Sequence, residues 1–534
     1  MLISFTFSNG IRFSISDLSP PTARNIPTLY QDRAAISLYD VQYSSGPKTP
    51  IPVETIQNIC ASLLKFKCTC EDFEVPQKNI RVLATEATRD AINSVEFRRQ
   101  IIEATGWEVD MLPKVEEGRI GAMGVASSFR SIDGLVMDLG GGSTQITYLQ
   151  TRRGEVHFGS GGSVSLPFGA AALLRRMNAA SQHGMRAMAA LKKEVQESLL
   201  AAYRSLEVPE EVERNGLSLF LSGGGFRGWG YVLMDKHVVN PYPIPIINGF
   251  SVKPDMFQDV VSVESHIVAQ GGTMLGVSQR RATQVPAVAF LISALTEALP
   301  EIKEVRFCQG GVREGALFSS LPPSIRNQSP LDTATLAYAP PSSKSLSVLL
   351  SAAVPSPCPP ILSSIFLATV HLLYFHGPLP AENRAAAALR CTTSGLLAGV
   401  HGLLHEERTA LALLLCERWG GEIPVTDAVF HENLRKLAGP EVEWWMKYVG
   451  RIAEFVGEVY PAGVVGTERI RLSSEISAGG RLELRIQFLD KDLATSIYAK
   501  TIKKIEKVGK KKNWIGGREG WGLQVDVTVT GTVS

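Results

Sequence analysis

Cysteine is scarce in this chain of 534 residues, and so are the patterns that mark secreted or membrane proteins. The seven cysteines, Cys60, Cys68, Cys70, Cys308, Cys358, Cys391 and Cys416, are odd in number and scattered. They form neither a disulfide framework nor a paired C-x-x-C zinc pattern, so a reducing, cytoplasmic setting is expected. Long apolar runs are missing too: the most apolar stretches, 346–354 and 361–375, are short or interrupted by prolines, and no basic region leads into an apolar segment at the start. Neither a signal peptide nor a membrane span is expected. Charge of one sign is lacking, with 54 Lys and Arg against 52 Asp and Glu. That balance implies no global polyelectrolyte partner, and nucleic acid is not expected. What remains is an ordinary globular composition, 45% hydrophobic and 20% charged, in a chain long enough for roughly three domains.

The most informative stretch is LVMDLGGGSTQIT, 135–147. Leu135, Val136 and Met137 suit a buried strand, and the run Gly140, Gly141 and Gly142 lets backbone amides approach an anion with no Cβ in the way. Asp138, at the strand end, is placed either to hold a divalent cation or to orient a water, and the hydroxyls of Ser143 and Thr144 add donors. A glycine-rich hairpin without a ligand is the plainer reading, and the context decides between them. Two further strand ends carry consecutive glycines, Gly223 to Gly225 in SLFLSGGGFRGWG, and Gly310 and Gly311 in VRFCQGGVREGAL. Such glycines also serve close packing of strand and helix.

Elsewhere the chain alternates strands and helices. Met1 to Ile15 reads as two strands around Ser8, Asn9 and Gly10, followed by a Pro-rich loop, SPPTARNIPTLYQD. A helix is expected from Val53, a buried strand over 79–85, and Arg89 just beyond it, well placed for an anion. VEEGRIGAMGVA reads as a helix with Glu116 and Glu117 in its first turn, where acids suit the dipole.

Five ordered motifs, SNGIRFSI, TEATRDA, VEEGRIGAMGV, DLGGGST and GGVREGAL, resemble those of the exopolyphosphatase/guanosine pentaphosphate phosphatase (Ppx/GppA) family of the actin-like ATPase superfamily. The resemblance implies an α/β fold, a two-lobed actin-like ATPase (ribonuclease H-like) module with a nucleotide or polyphosphate held between the lobes. It implies Glu117 as general base, Asp138 as Mg²⁺ ligand or water-positioning acid, and Ser8, Asn9, Arg89, Gly140, Gly141, Gly142, Ser143, Thr144, Gly310 and Gly311 around the phosphates. If active, such a chain is a phosphoric anhydride hydrolase. Within the family the chain is most similar to a fungal branch, through SPPTAR, LSGGGFRGWGYVLM and AAAALRCTTSGLLAGVHGLLHEERTALALLLCERWGG, which implies mitochondria-to-nucleus retrograde signalling through a regulatory protein partner. One departure counts against catalysis. The family's first phosphate loop carries an Asp and a Gly where this chain has Phe5 and Phe7. Either hydrolysis is weakened or lost, or the recorded start falls inside the motif; the match from Ser8 onward favours the second.

The expected organisation is lobe I over 1–134, lobe II over 135–321, a Pro-rich linker over 322–360, a helical domain over 361–466 in the position of an HD-like domain, and a β-rich tail over 467–534. His401, His405 and Glu406 invite a metal reading, but solvated or capping histidines fit better. In the tail, three alternating segments suggest antiparallel strands, and 498–512 holds seven lysines, read as a solvated helix and loop tip.

Overall fold

In the computed structural model the chain is described over residues 2–8, 10–44, 46–152, 155–269, 276, 279–490 and 495–531. The alternation at its start builds a five-stranded sheet. Strands β1 (Leu2–Ser8) and β2 (Gly10–Ser16) form an antiparallel hairpin, β3 (Thr28–Ala34) joins β2, and β4 (Ile80–Ala84) and β5 (Val109–Met111) add in parallel beyond β1. The order is β3-β2-β1-β4-β5. Ile11, Phe13 and Ile15 enter a core closed by the helix Val53–Asp72, whose Ile56, Ile59, Leu63 and Phe66 recur at helical spacing. Phe13 stacks on Phe66 with ring centres 4.7 Å apart. β3 was expected as loop. It is a partly exposed edge strand entered from Pro27, so it lacks the apolar run that marks a buried strand.

A second sheet repeats the pattern. It contains β6 (Asp133–Leu139), β7 (Thr144–Arg152), β8 (Glu155–Leu166), β9 (Leu217–Ser222), the two-residue β10 (Ser251–Val252) and β11 (Ile302–Phe307), in the order β10-β11-β9-β6-β7-β8. Setting β10 aside, both sheets have an antiparallel three-strand half and a parallel half around a central first strand. This duplicated ribonuclease H-like order is the two-lobed actin-like module expected from the motifs.

The lobes meet through two helices, Lys114–Ser127 and Val312–Ser320, whose backbones touch. A Cβ at Gly315 would lie 1.8 Å from the Ile120 carbonyl oxygen, one at Gly124 2.0 Å from that of Gly311, and one at Gly310 2.0 Å from that of Gly124. The loop SPPTAR is also structural: the buried Arg24 guanidinium donates to the carbonyls of Ser127 (3.0 Å), Phe129 (2.8 Å) and Gln328 (3.1 Å).

The chain divides into two compact units, Met1–His237 with Ile246–Pro330, and Val238–Pro245 with Leu331–Ser534. In the second unit the helices Ala381–Arg390, His405–Arg418 and Ala428–Val459 follow the helical periodicity of the sequence, the last broken at Gly439 ahead of Pro440. The stretch 322–360, expected as a linker, differs from that expectation in carrying the helices Pro323–Arg326, Pro330–Thr335 and Ser343–Ala352. Pro323, Pro330 and Pro360 sit at helix starts, where a missing amide costs nothing, and Leu346 and Leu350 are buried. The tail forms a sheet of β12 (Ile470–Ile476), β13 (Leu482–Phe488) and β14 (Val525–Thr530). β12 and β13 are antiparallel as expected, but β14 runs parallel to β13. A parallel pair needs a crossover, and the Lys-rich helix Thr495–Val508 supplies it, burying Ile502, Ile505 and Val508. Among the described residues no helix is long and apolar enough to cross a membrane.

The helix contact sets one expectation. Gly124→Val drives a side chain into immovable backbone and should cost about 3 kcal/mol, read from the urea midpoint. Gly466→Ala, where nothing lies within 4 Å, should leave that midpoint nearly unchanged.

Candidate functional site

The loop between β6 and β7 is held by its carbonyls. Gly140 N–H donates to the Ser143 carbonyl (3.0 Å), while the carbonyls of Gly140, Gly141 and Gly142 accept from Ala170, from Ala171 and Ala172, and from Gly169. These bonds tie the loop to the start of the helix Ala170–Gln182. Gly169 admits no side chain, because a Cβ there would lie 2.4 Å from the Gly141 carbonyl. With their carbonyls engaged, Gly140, Gly141, Gly142 and Ser143 line a cleft between the lobes. Gln145 lines it as well and donates to Ser143 Oγ (2.7 Å). Thr144, expected among the phosphate ligands, turns away: it is buried and donates to the Phe168 carbonyl (2.9 Å).

Acids converge on this cleft from four elements. Asp138 ends β6 beneath Gly223, where a Cβ would lie 2.4 Å from its Oδ1. Burial raises the pKa of Asp138, opposed by the positive charges of Arg227 and Arg12. Glu117 lies in the first turn of the helix Lys114–Ser127, buried yet on the cleft wall. Burial lifts its pKa from 4.5 to about 7; Arg89 opposes that rise, while Glu86 and Asp138 add to it. Arg89 itself is not on the cleft wall. Its Nη1 and Nη2 donate to Glu117 Oε2 (3.2 and 3.3 Å) and Nη1 also to the Leu112 carbonyl, so it braces the acid from behind instead of meeting an anion directly. Glu86 and Glu314 are the other cleft acids. Glu314 accepts from the Gly311 amide (3.0 Å) and pairs with Arg313.

Five arginines face these acids: Arg12, Arg33, Arg227, Arg281 and Arg313. Arg12 and Arg33 are directly paired across β2 and β3. Burial, then repulsion from Arg227 and Arg313, pulls the pKa of Arg12 down to about 9. Among the described residues no carboxylate forms an ion pair with Arg12. A positive group so placed favours an incoming anion. Arg227 is anchored by the Gln309 carbonyl (3.0 Å) and approached by Ser222 Oγ.

Of the remaining expected ligands, Gly311 lines the cleft, whereas Gly310 is pressed against Gly124 and serves helix packing. Ser8 closes β1 opposite Gly10, and its backbone alone is described; Asn9 lies outside the described residues. The β1 backbone keeps its register through Phe5, opposite Phe13, and Phe7, opposite Ile11. Among the described residues no group of three or more His, Cys, Asp or Glu forms a metal cage. Mg²⁺ keeps several waters and takes one or two carboxylates together with phosphate oxygens, so Asp138 fits it in company with a phosphate ligand. In the other unit His405 is buried and not solvated as expected, and its Nδ1 meets the hydroxyl of the partly buried Tyr242 at 2.7 Å.

The five arginines and Glu86 were missed as site residues in the sequence. Arg12 carried a readable signal, since it alternates with Ile11, Phe13 and Ile15 and so falls on the face opposite the core. Arg33, Arg227, Arg281 and Arg313 come from four distant elements, and no spacing joins them.

The Ppx/GppA phosphatase family model matches residues 18–324, and the RTG2 C-terminal domain model matches residues 329–532. The chain is 40% identical over 479 residues to retrograde regulation protein 2 of Saccharomyces cerevisiae, covering 85% of this chain and 80% of that protein. It is 36% identical over 74 residues to guanosine-5'-triphosphate,3'-diphosphate pyrophosphatase of Photobacterium profundum, covering 14% of this chain and 15% of that protein. Among solved structures, the Aquifex aeolicus Ppx/GppA phosphatase (type II variant) shares 19% identity and a TM-score of 0.44, with 60% of this chain and 99% of that one covered.

Glu117 yields a pH expectation. Its pKa is higher folded than unfolded, so between about 4.5 and about 7 the native state keeps a proton that the unfolded chain releases, and stability falls as pH rises through that window. A carboxyl-resolved NMR titration should place its midpoint near 7, and Arg89→Met, which removes the opposing cation, should move that midpoint upward. An unmoved midpoint would contradict the pairing.

Proposed function

This chain belongs to the Ppx/GppA phosphatase family, and from that premise we propose that it is a phosphate-binding regulatory protein whose cleft takes a nucleotide or polyphosphate. The observation that carries this reading is the gathering of five arginines around a glycine loop whose carbonyls are already engaged. In this reading the amides of Gly141 and Gly142, the Ser143 hydroxyl and the guanidinium groups of Arg12, Arg227 and Arg313 hold the phosphoryl oxygens, and Asp138 shares Mg²⁺ with them. Occupancy shifts the lobes and so the surface offered to a regulatory protein partner. The name of the yeast relative, retrograde regulation protein 2, supports placing that partner in mitochondria-to-nucleus retrograde signalling, with the protein itself cytoplasmic.

A second reading, hydrolysis of a phosphoric anhydride, is favoured by one observation, the carboxyl of Glu117 poised near neutrality. A general base is most effective with a pKa near the working pH, and Glu117 would accept the proton of a water attacking in line while the arginines stabilise the equatorial oxygens. The sequence argues the other way, since Phe5 and Phe7 stand where the family has its first acid and glycine. Regulation is therefore the primary reading.

Calorimetry with ATP, guanine nucleotides and polyphosphate, with and without Mg²⁺, tests the ligand. Binding should be stronger with Mg²⁺ and weaker in Asp138→Ala, and no binding to any of them would overturn the proposal. Two further variants separate the readings. For a regulator, Glu117→Gln should leave ligand binding and signalling nearly unchanged, while Gly141→Val, which blocks the backbone from phosphate, should abolish both. For a hydrolase, Glu117→Gln should lower turnover by on the order of 10² to 10⁴ with affinity preserved.

A further inference from the structure

Glu86 stands where an anionic ligand would be welcomed. It follows β4 on lobe I, yet its carboxylate reaches across the cleft to the glycine loop of lobe II. A Cβ built on Gly142 would lie 2.3 Å from its Oε2, 3.0 Å from Cδ and 3.3 Å from Oε1, so the carboxylate rests directly on the loop. Burial raises its pKa, opposed by the hydroxyl of Ser143. Among the described residues no basic side chain forms an ion pair with Glu86, although Arg89 and Lys114 are near enough to be felt. A helix-start acid is ordinarily explained by the dipole, but the helix Glu86–Arg89 has four residues and offers little of one. The carboxylate instead lies against Gly142 and puts a negative charge on the cleft side of the loop.

We propose that Glu86 is a specificity-determining residue, an internal anion that rests on the glycine loop and that an incoming phosphoryl group must displace. The proposal rests on reading the cleft as a phosphate site. A carboxylate presents two oxygens and one negative charge, enough to compete with a small anion. A ligand with several linked phosphoryl groups reaches the arginines and the loop together and outcompetes it. Glu86 thus selects for phosphate-dense ligands by repulsion. Because it joins lobe I to the loop of lobe II, its displacement also removes a contact between the lobes, which links occupancy to their arrangement.

The test uses the full chain with sodium tripolyphosphate and inorganic phosphate. Glu86→Gln keeps the size but not the charge; Glu86→Ala removes both. Both variants should bind tripolyphosphate on the order of tenfold more tightly than the wild type, with a larger relative gain for inorganic phosphate. In the unliganded Glu86→Ala variant, amide hydrogen exchange across 140–143 should quicken and slow again when tripolyphosphate is added. Wild-type binding with equal or weaker affinity in both variants would overturn the role of Glu86 and leave the phosphate site standing. Absence of binding in the wild type and both variants would overturn the phosphate reading and this inference with it.

Discussion

The cleft depends on backbone meeting backbone. Helices Lys114–Ser127 and Val312–Ser320 approach until carbonyl oxygens lie where side chains would begin, and only glycine at 124, 310 and 315 permits it. Glu117 rides on the first of these helices, and Arg313 and Glu314 on the second. The distance between the helix turns that carry Glu117 and Arg313 is therefore set by a contact with no flexible side chain in it. Close packing of this kind passes small shifts on instead of absorbing them. The buried Arg24, bonded to three carbonyls around the end of the first helix and the segment after the second, fastens the same region from outside.

On that frame the cleft is electrostatically divided. Glu314 is committed to Arg313 and the Gly311 amide, and Glu117 to Arg89, which leaves Arg12 with no ion pair among the described residues. Desolvation works against both signs of charge here, raising Glu117 and Asp138 and lowering Arg12. Groups held in this way gain most when a partner of opposite charge arrives, because the cost of burying them has already been met by folding.

The glycine motifs were legible as turns because that meaning is local; whether a given glycine lines the cleft, as Gly311 does, or serves packing, as Gly310 does, is decided by the fold. The same locality explains where the reading failed. DLGGGST places Thr144 beside Ser143, but the pleat sends consecutive side chains to opposite faces, so one reaches the cleft and the other the Phe168 carbonyl. Arg89 follows its strand as an anion ligand would, and only the third dimension shows Glu117 waiting for it. The arginine cluster is wholly tertiary. In 322–360 proline was read as a linker signal although it also opens helices, and the direction of β14 is set by a crossover helix that strand periodicity does not reveal.

The duplicated sheet order has a consequence for how such a protein can change over generations. Each lobe turns a hairpin on its central strand, β1 in one and β6 in the other. A central strand bonds on both sides and cannot be deleted without losing the sheet. β1 can therefore carry Phe5 and Phe7 and still be retained, because their backbones keep partners in β2 and β4. Pairing of this kind is made by backbone alone, so a central strand tolerates wide change in its side chains while the outline of the lobe stays intact.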